Sequence, residues 1–308
     1  MSGAGGGRGS TVRDVWTHLR LASADRRTRV PGARVPEPMV VDDPAEVGRF
    51  SEGGATLPAM RSVYDFNARA LSALTPEGGR VLDLGVGSGH ALAYFLRGRP
   101  DATAVGVDLS AGMLDEARIV LARQGVADRA QLVRADITDL PEQICAEGAD
   151  AVSALWTLHQ LPDEDVVAAA LKQIAGLRAG HGSAVWLLDF QRLASPAVFP
   201  ALLDATDPDY PGPLRQDAIR SGRAALTDEE LYRLLQSAGL GDARRRTSSP
   251  LRMLHAAWLP AVPGPHRRPG RWIAPGADDE TRRRAALIQR AFGSSAARPY
   301  PRDLPRRA

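Results

Sequence analysis

The chain has 308 residues, 44% hydrophobic and 24% charged, enough apolar content for one substantial core with appendages or two modest domains. No run approaches the roughly eighteen consecutive apolar residues of a membrane span, and the opening MSGAGGGRGS has no apolar signal core, so the cytoplasm is the expected location. A single cysteine, Cys145, excludes an internal disulfide and a cysteine-built metal site, and no metal site of any kind is expected. The formal net charge of +3 is unevenly placed: residues 1–38 hold seven arginines against three acids, and residues 262–308 eleven against four. The body between them is acidic, which argues against a face built to grip phosphates.

Residues 1–38, rich in glycine, arginine and proline without periodicity, are expected to form a loosely attached or disordered basic segment. From 39 to 260 apolar runs of strand length (RVLDL, TAVGVDL, QLVRAD, DAVSAL, SAVWLLDF) alternate with segments of helical spacing, the mark of βαβ units and a parallel sheet. Met60, Val63, Asn67, Ala70, Leu71 and Leu74 share one face of a helix before the first strand. Ser110 is a predicted N-cap ahead of Met113, Leu114, Ala117 and Leu121, and Asp163 another ahead of Val167, Leu171 and Ile174. Thr227 and Glu230 have capping-box spacing, with Gly239 as the stop. DARRRT and LRMLHAAWL are candidates for two final strands. An insert at about 191–225 mixes Phe199, Leu202 and Tyr210 with Arg215, Arg220 and Arg223. Residues 261–308 read as a Pro/Arg-rich extension with one helical stretch after Asp278, whose apolar positions are Ala286, Leu287, Ile288 and Phe292.

The decisive stretch is RVLDLGVGSGH, residues 80–90. A strand turning at once into a helix leaves unpaired backbone N–H groups, and Gly85, Gly87 and Gly89 let a ligand touch the main chain. A dinucleotide fingerprint wants glycine or alanine where His90 stands. Asp83, just before the bend, repels a pyrophosphate but welcomes an ammonium group. Asp108, nineteen residues after Gly89 at the end of the next strand, suits the two hydroxyls of a ribose, and Asp136, at the tip of the third, an adenine amino group. A cation, a ribose and an adenine in that order describe S-adenosylmethionine.

Over residues 39–247 the chain resembles the class I (Rossmann-like) S-adenosylmethionine-dependent methyltransferases, of small-molecule type. VLDLGVGSG is similar to the family's first motif, VGVDLSAGMLDEAR to its ribose-binding loop, RADITDLP to its adenine loop and ADAVSALWTLHQLPD to its fourth motif. The resemblance implies a doubly wound, seven-stranded, mostly parallel α/β sheet with helices on both faces. It also implies cofactor contacts from Leu109, Met113 and Ile137 beside the acids and glycines, and a lid carrying Tyr64 and Asn67. Val86 departs from the family, which often has a smaller residue there, as does Gln160, where relatives often show a second histidine.

Methyl transfer from a sulfonium needs near-attack positioning in a dry site, with a general base only where the acceptor must lose a proton. His159 and Asp189, at the ends of the fourth and fifth strands, are the catalytic candidates, His159 as a neutral imidazole accepting a proton near pH 7. The partly apolar insert with its arginines suggests a small organic acceptor, methylated on O, N or C. The competing expectation is an RNA or protein methyltransferase whose basic termini hold an anionic partner. SALW stands where base N-methylating enzymes carry a Pro-Pro-aromatic signature, so a nucleic-acid partner is disfavoured. A homodimer is left open.

Overall fold

The computed structural model describes residues 6–28, 30–263, 268, 270–274 and 276–293. Helices α1 (Gly6–Arg27), α2 (Pro44–Thr56) and α3 (Pro58–Leu74) precede strand β1 (Arg80–Leu84). Then come α4 (His90–Gly98), β2 (Thr103–Asp108), α5 (Ala111–Arg123), β3 (Ala130–Arg134), α6 (Glu142–Glu147) and β4 (Ala151–Leu155). After them follow α7 (Glu164–His181), β5 (Ala184–Phe190), α8 (Val198–Thr206), α9 (Gly212–Ala224) and α10 (Asp228–Ser237). Strands β6 (Arg244–Thr247) and β7 (Leu254–Leu259) and helix α11 (Asp279–Ala291) complete the chain.

One seven-stranded sheet runs in the order β3-β2-β1-β4-β5-β7-β6, parallel throughout except β7, which is antiparallel to both neighbours. Chain order reverses between β1 and β4, which opens a crevice at their carboxyl ends. Alternation within each strand separates two cores. Val81, Ala104, Trp186 and Trp258 face α3, α4 and α5, whereas Leu82, Leu84, Val105 and Val152 face α7 and α10. Asp83, in register with Gly106 and Ser153, lies on the former face.

The predicted caps are made. Ser110 accepts from Met113 N–H, Asp163 from Val166 N–H, and Thr227 and Glu230 close a reciprocal capping box. Gly182, in the left-handed region, ends α7.

The two termini differ from expectation. Residues 6–27 form a helix, and it docks: Ala22 is buried in a third apolar cluster with Leu193, Phe199, Leu202 and Leu203, while Asp25 accepts from Ser195 N–H. The sequence hides this because the docking face is small, with Trp16 and Leu19 left exposed. At the other end α11 buries Thr281, Ala285 and Gln289 rather than the predicted Leu287, which is 44% exposed. Phe292 stacks on Phe66 of α3 at 5.1 Å, and Trp272 lies so close over Gly98 that any side chain there would overlap its ring. The tail is therefore seated on α3 and α4. Residues 294–308, with the last of the expected basic extension, lie outside the described residues. Among the described residues, no helix is long and apolar enough to cross a membrane.

Candidate cofactor and acceptor site

The bend after β1 is built by glycines with different tasks. Gly85 has φ of +73°, and a Cβ on it would fall 2.4 Å from the Thr157 side chain. Gly87 has φ of +52° with nothing within 4 Å of its Cβ position, so its open side is the one a ligand can approach. Val86, the bulky departure, is accommodated by a second absence: a Cβ on Gly106 of β2 would meet the Val86 side chain at 2.8 Å. His90 is a clasp. Its Nε2 lies 2.9 Å from the Ser51 carbonyl oxygen, joining the bend to α2.

Two acids close the floor. Asp108 accepts from Gly87 N–H at 2.8 Å and Ser110 N–H at 3.0 Å, which fixes its carboxylate while leaving lone pairs for a diol. Asp83 accepts from the Ser153 hydroxyl at 2.6 Å. Burial, reinforced by the Asp108 charge, pushes the Asp83 carboxyl up to about 6, and burial raises Asp108 as well. Among the described residues no arginine or lysine is paired with either acid. A buried and a half-buried carboxylate, neither paired with a cation among the described residues, beside a side-chain-free bend fit a ligand with positive charge at one end and hydroxyls at the other. The donor set thus matches the expected cofactor.

A cavity of about 110 Å³ lies there, lined by Asp83, Gly85, Gly87, Asp108 and Met113, with Tyr64, Trp156 and Gln160 on its sides and Met39, Val41 and Phe50 in its roof. Drug-sized ligands occupy pockets from about 300 Å³ upward, so this cavity is narrow for a whole nucleoside. Gly89, Leu109, Asn67, Asp136 and Ile137 do not line it. Gly89 caps α4 against Ala117, and Leu109 offers its carbonyl to Arg134. Asn67 turns inward and accepts from the Trp186 indole N–H at 2.8 Å. Asp136 accepts from the Thr138 backbone N–H and hydroxyl, and Ile137 packs into the α7 side of the sheet.

His159 and Asp189 do meet. The His159 Nδ1 lies 2.6 Å from Asp189 Oδ1, and the His159 backbone N–H donates to Asp189 Oδ2 at 3.1 Å. On the other side His159 Nε2 stands 3.2 Å from Glu37 Oε1. Burial opposes the imidazolium, but Asp189 and then Glu37 overcome this and hold His159 up at about 9. Asp189 is driven up by burial and brought below the usual carboxylate range by the His159 cation. The expected neutral imidazole is therefore an imidazolium at pH 7 while Glu37 is in place. His255, opposite Asp189 on β7, is pushed by burial down to about 4 and stays neutral.

Glu37 and Arg34 are the functional residues that sequence reasoning missed. Arg34 donates to the carbonyls of His159, Leu161 and Ala224, and Glu37 accepts from Ser221, so residues 32–37 cross the carboxyl ends of β4 and β5 as a strap. Ser110 donates to the Val41 carbonyl and the Asp42 carboxylate, anchoring the continuation over the ribose end. The one available signal was VPEPMVV, an apolar, proline-stiffened run inside an otherwise polar arm.

This sheet order, glycine bend and pair of strand-tip acids define the architecture of a class I methyltransferase. Residues 81–182 match the family model of a methyltransferase domain. The chain is 31% identical over 198 residues to the demethylmenaquinone methyltransferase of Roseiflexus sp. strain RS-1, covering 56% of this chain and 73% of that protein. It is 31% identical over 159 residues to the erythromycin 3''-O-methyltransferase of Saccharopolyspora erythraea, covering 49% of each. The structure of mitomycin 7-O-methyltransferase shares the fold with a TM-score of 0.50 and 18% identity, over 81% of this chain and 68% of that one. The chain belongs to the S-adenosylmethionine-dependent methyltransferases. It spans between 22% and 73% of the length of these curated relatives and of a further, uncharacterized one from Synechococcus.

Proposed function

We propose that the protein transfers a methyl group from S-adenosylmethionine to a hydroxyl of a small organic molecule, in the cytoplasm. The observation that carries the cofactor half is the Asp83–Asp108 pair, one buried and one half-buried, without a cationic partner among the described residues, beside the open face of Gly87. Asp83 holds the ammonium of the methionine moiety and Asp108 both ribose hydroxyls. Met113 packs on the base, and Asp136 orders the neighbouring loop at its adenine end. When bound, the cofactor supplies an activated methyl group on a sulfonium.

A hydroxyl acceptor is favoured by the Asp189–His159 dyad at the carboxyl ends of β5 and β4. Asp189 fixes the imidazole through Nδ1 and stabilises its charged form; with Glu37 gone and the Nε2 proton given up to solvent, Nε2 is the atom that takes the acceptor's proton. Tyr64, Trp156 and Phe190 keep water from the reacting atoms. Two of the named relatives are O-methyltransferases, which agrees with this choice.

Calorimetry with the product cofactor S-adenosylhomocysteine tests the reading. Asp108→Ala is expected to weaken binding at least about tenfold, because a buried bidentate contact to the ribose is lost. Equal affinity in the variant and the parent overturns the ribose assignment.

A further inference from the structure

We propose that the outward face of helix α1 is a docking surface for an anionic lipid membrane, on which the protein lies by its amino-terminal end. Such a surface sets where the enzyme works, whatever acceptor it methylates.

Helix α1 divides by side. At about 3.6 residues per turn, Leu21, Ala22 and Asp25 fall on one side, and this is the docked one. Ala22 is buried in the cluster with Phe199, Leu202 and Leu203 of α8, and Asp25 accepts the Ser195 N–H. Trp16, Leu19, Arg20, Ser23, Arg26 and Arg27 fall together on the opposite side, and all of them except Ser23 are exposed, Trp16 at 64% and Leu19 at 40%. Asp25, the one acid between residues 16 and 27, is thus turned away from this face. Among the described residues no carboxylate pairs with the guanidinium of Arg20, Arg26 or Arg27. Exposed arginines on the body are held instead, Arg220 by Asp217 and Glu46, and Arg233 by Glu164.

The carboxyl-terminal helix adds charge at the same end. Leu251, in the loop between β6 and β7, packs in the cluster that holds Ala22, and two residues earlier the Ser249 N–H donates to the Ala291 carbonyl at the end of α11. The end of α11 and the docked side of α1 therefore flank one short loop. Leu287 and Arg290 stand about one turn apart on α11, both exposed, and Arg290 likewise has no carboxylate partner among the described residues. The two basic stretches of the sequence thus come to one end of the molecule, while the body between them is acidic. An anionic bilayer attracts that end and repels the rest, which orients the protein. Trp16 and Leu19 decide between lipid and other anionic partners. A nucleic-acid backbone is gripped by arginines and gains nothing from an exposed leucine. The apolar strip also stops at Ser23, too short for the repeating seam of a helix pair. At a lipid surface the indole and the leucine sit at headgroup level, and the arginines reach the phosphates.

Co-sedimentation of the full chain with vesicles tests this. Vesicles of phosphatidylcholine mixed with phosphatidylglycerol are expected to bind the protein, and vesicles of phosphatidylcholine alone are not. An arginine near such a surface is worth about fivefold in binding, so the triple variant Arg20→Gln/Arg26→Gln/Arg27→Gln should bind the mixed vesicles about a hundredfold more weakly. Of the five tryptophans Trp16 is the exposed one. Mixed vesicles should therefore shift the protein's emission to shorter wavelength, and Trp16→Phe should remove that shift while most of the binding remains. All four substituted side chains are exposed, so the circular dichroism of both variants should match the parent. No binding of mixed vesicles by the parent, equal binding of neutral ones, parent-strength binding by the triple variant, or a shift that survives in Trp16→Phe overturns the proposal. Binding of transfer RNA by a parent protein that ignores the mixed vesicles assigns the face to nucleic acid and overturns it as well.

Discussion

At the scale of single residues, the electrostatics of the site are set by what the protein withholds. Asp83 is given a hydroxyl and no cation, so its carboxyl titrates near 6 rather than 3.8. An acid raised in this way favours the folded state at low pH and loses that contribution as pH rises toward 6. Its ionised form is the one a ligand ammonium needs. Cofactor affinity is therefore expected to fall as pH drops through about 6, measured by calorimetry between neutral and mildly acid pH, with Asp83→Asn weak at every pH. A flat profile in the parent removes Asp83 from the ammonium site. His159 has the same sign in a higher pH window. Its raised pKa contributes stability that is complete below 6.5 and lost as pH rises through about 9. Glu37→Gln is expected to move the His159 titration, followed by NMR of the ring, down toward 6.5. An unmoved titration would mean that Asp189 alone holds the proton. The sequence exposed Asp83, Asp108, His159 and Asp189 because each stands at a strand tip. It misplaced Asn67 for a geometric reason: on the helix face shared with Val63 and Leu71 a polar side chain turns toward the core, where the Trp186 indole satisfies it.

Elements were legible where a period and a cap agreed. β1 to β5, α5, α7 and α10 each carry an apolar repeat bounded by a glycine, a serine or an aspartate, and each formed as expected. α1 and the strap were not legible, because they draw order from partners far along the chain: Arg34 reaches carbonyls 125 to 190 residues away. Local pattern carries no trace of such contacts. The buried face of α11 was legible in part: Phe292 is buried and Ile288 packs on the core as their apolar character suggests, whereas Thr281 and Gln289 are covered by the body although neither is apolar. Removing residues 1–38 deletes Arg34 and Glu37 together with Gly32, Ala33 and Val35, which line the larger cavity. The truncated chain is expected to bind S-adenosylhomocysteine but to lose methyl transfer, read with labelled cofactor and a panel of small hydroxyl compounds. Full activity in the truncated chain would reduce the strap to decoration.

For the molecule as a whole, the parallel βαβ core and the cofactor crevice followed from alternation, from glycines and from acids in order, while the seven-stranded, mostly parallel arrangement followed from the family resemblance. What covers the crevice did not. A cover is selected for what it excludes, water above all, and sequences that exclude water equally well share little pattern. The strap also imposes an order of events. Arg34 is made long before Ala224, the carbonyl it finally grips, and at translation rates of roughly 5–20 residues per second the gap lasts on the order of ten seconds or more. Until then the strap lacks its Ala224 anchor, although the Ser110, His159 and Leu161 partners of residues 34–42 have already been made. The arm that leaves the ribosome first is thus tied down by residues that arrive one after another.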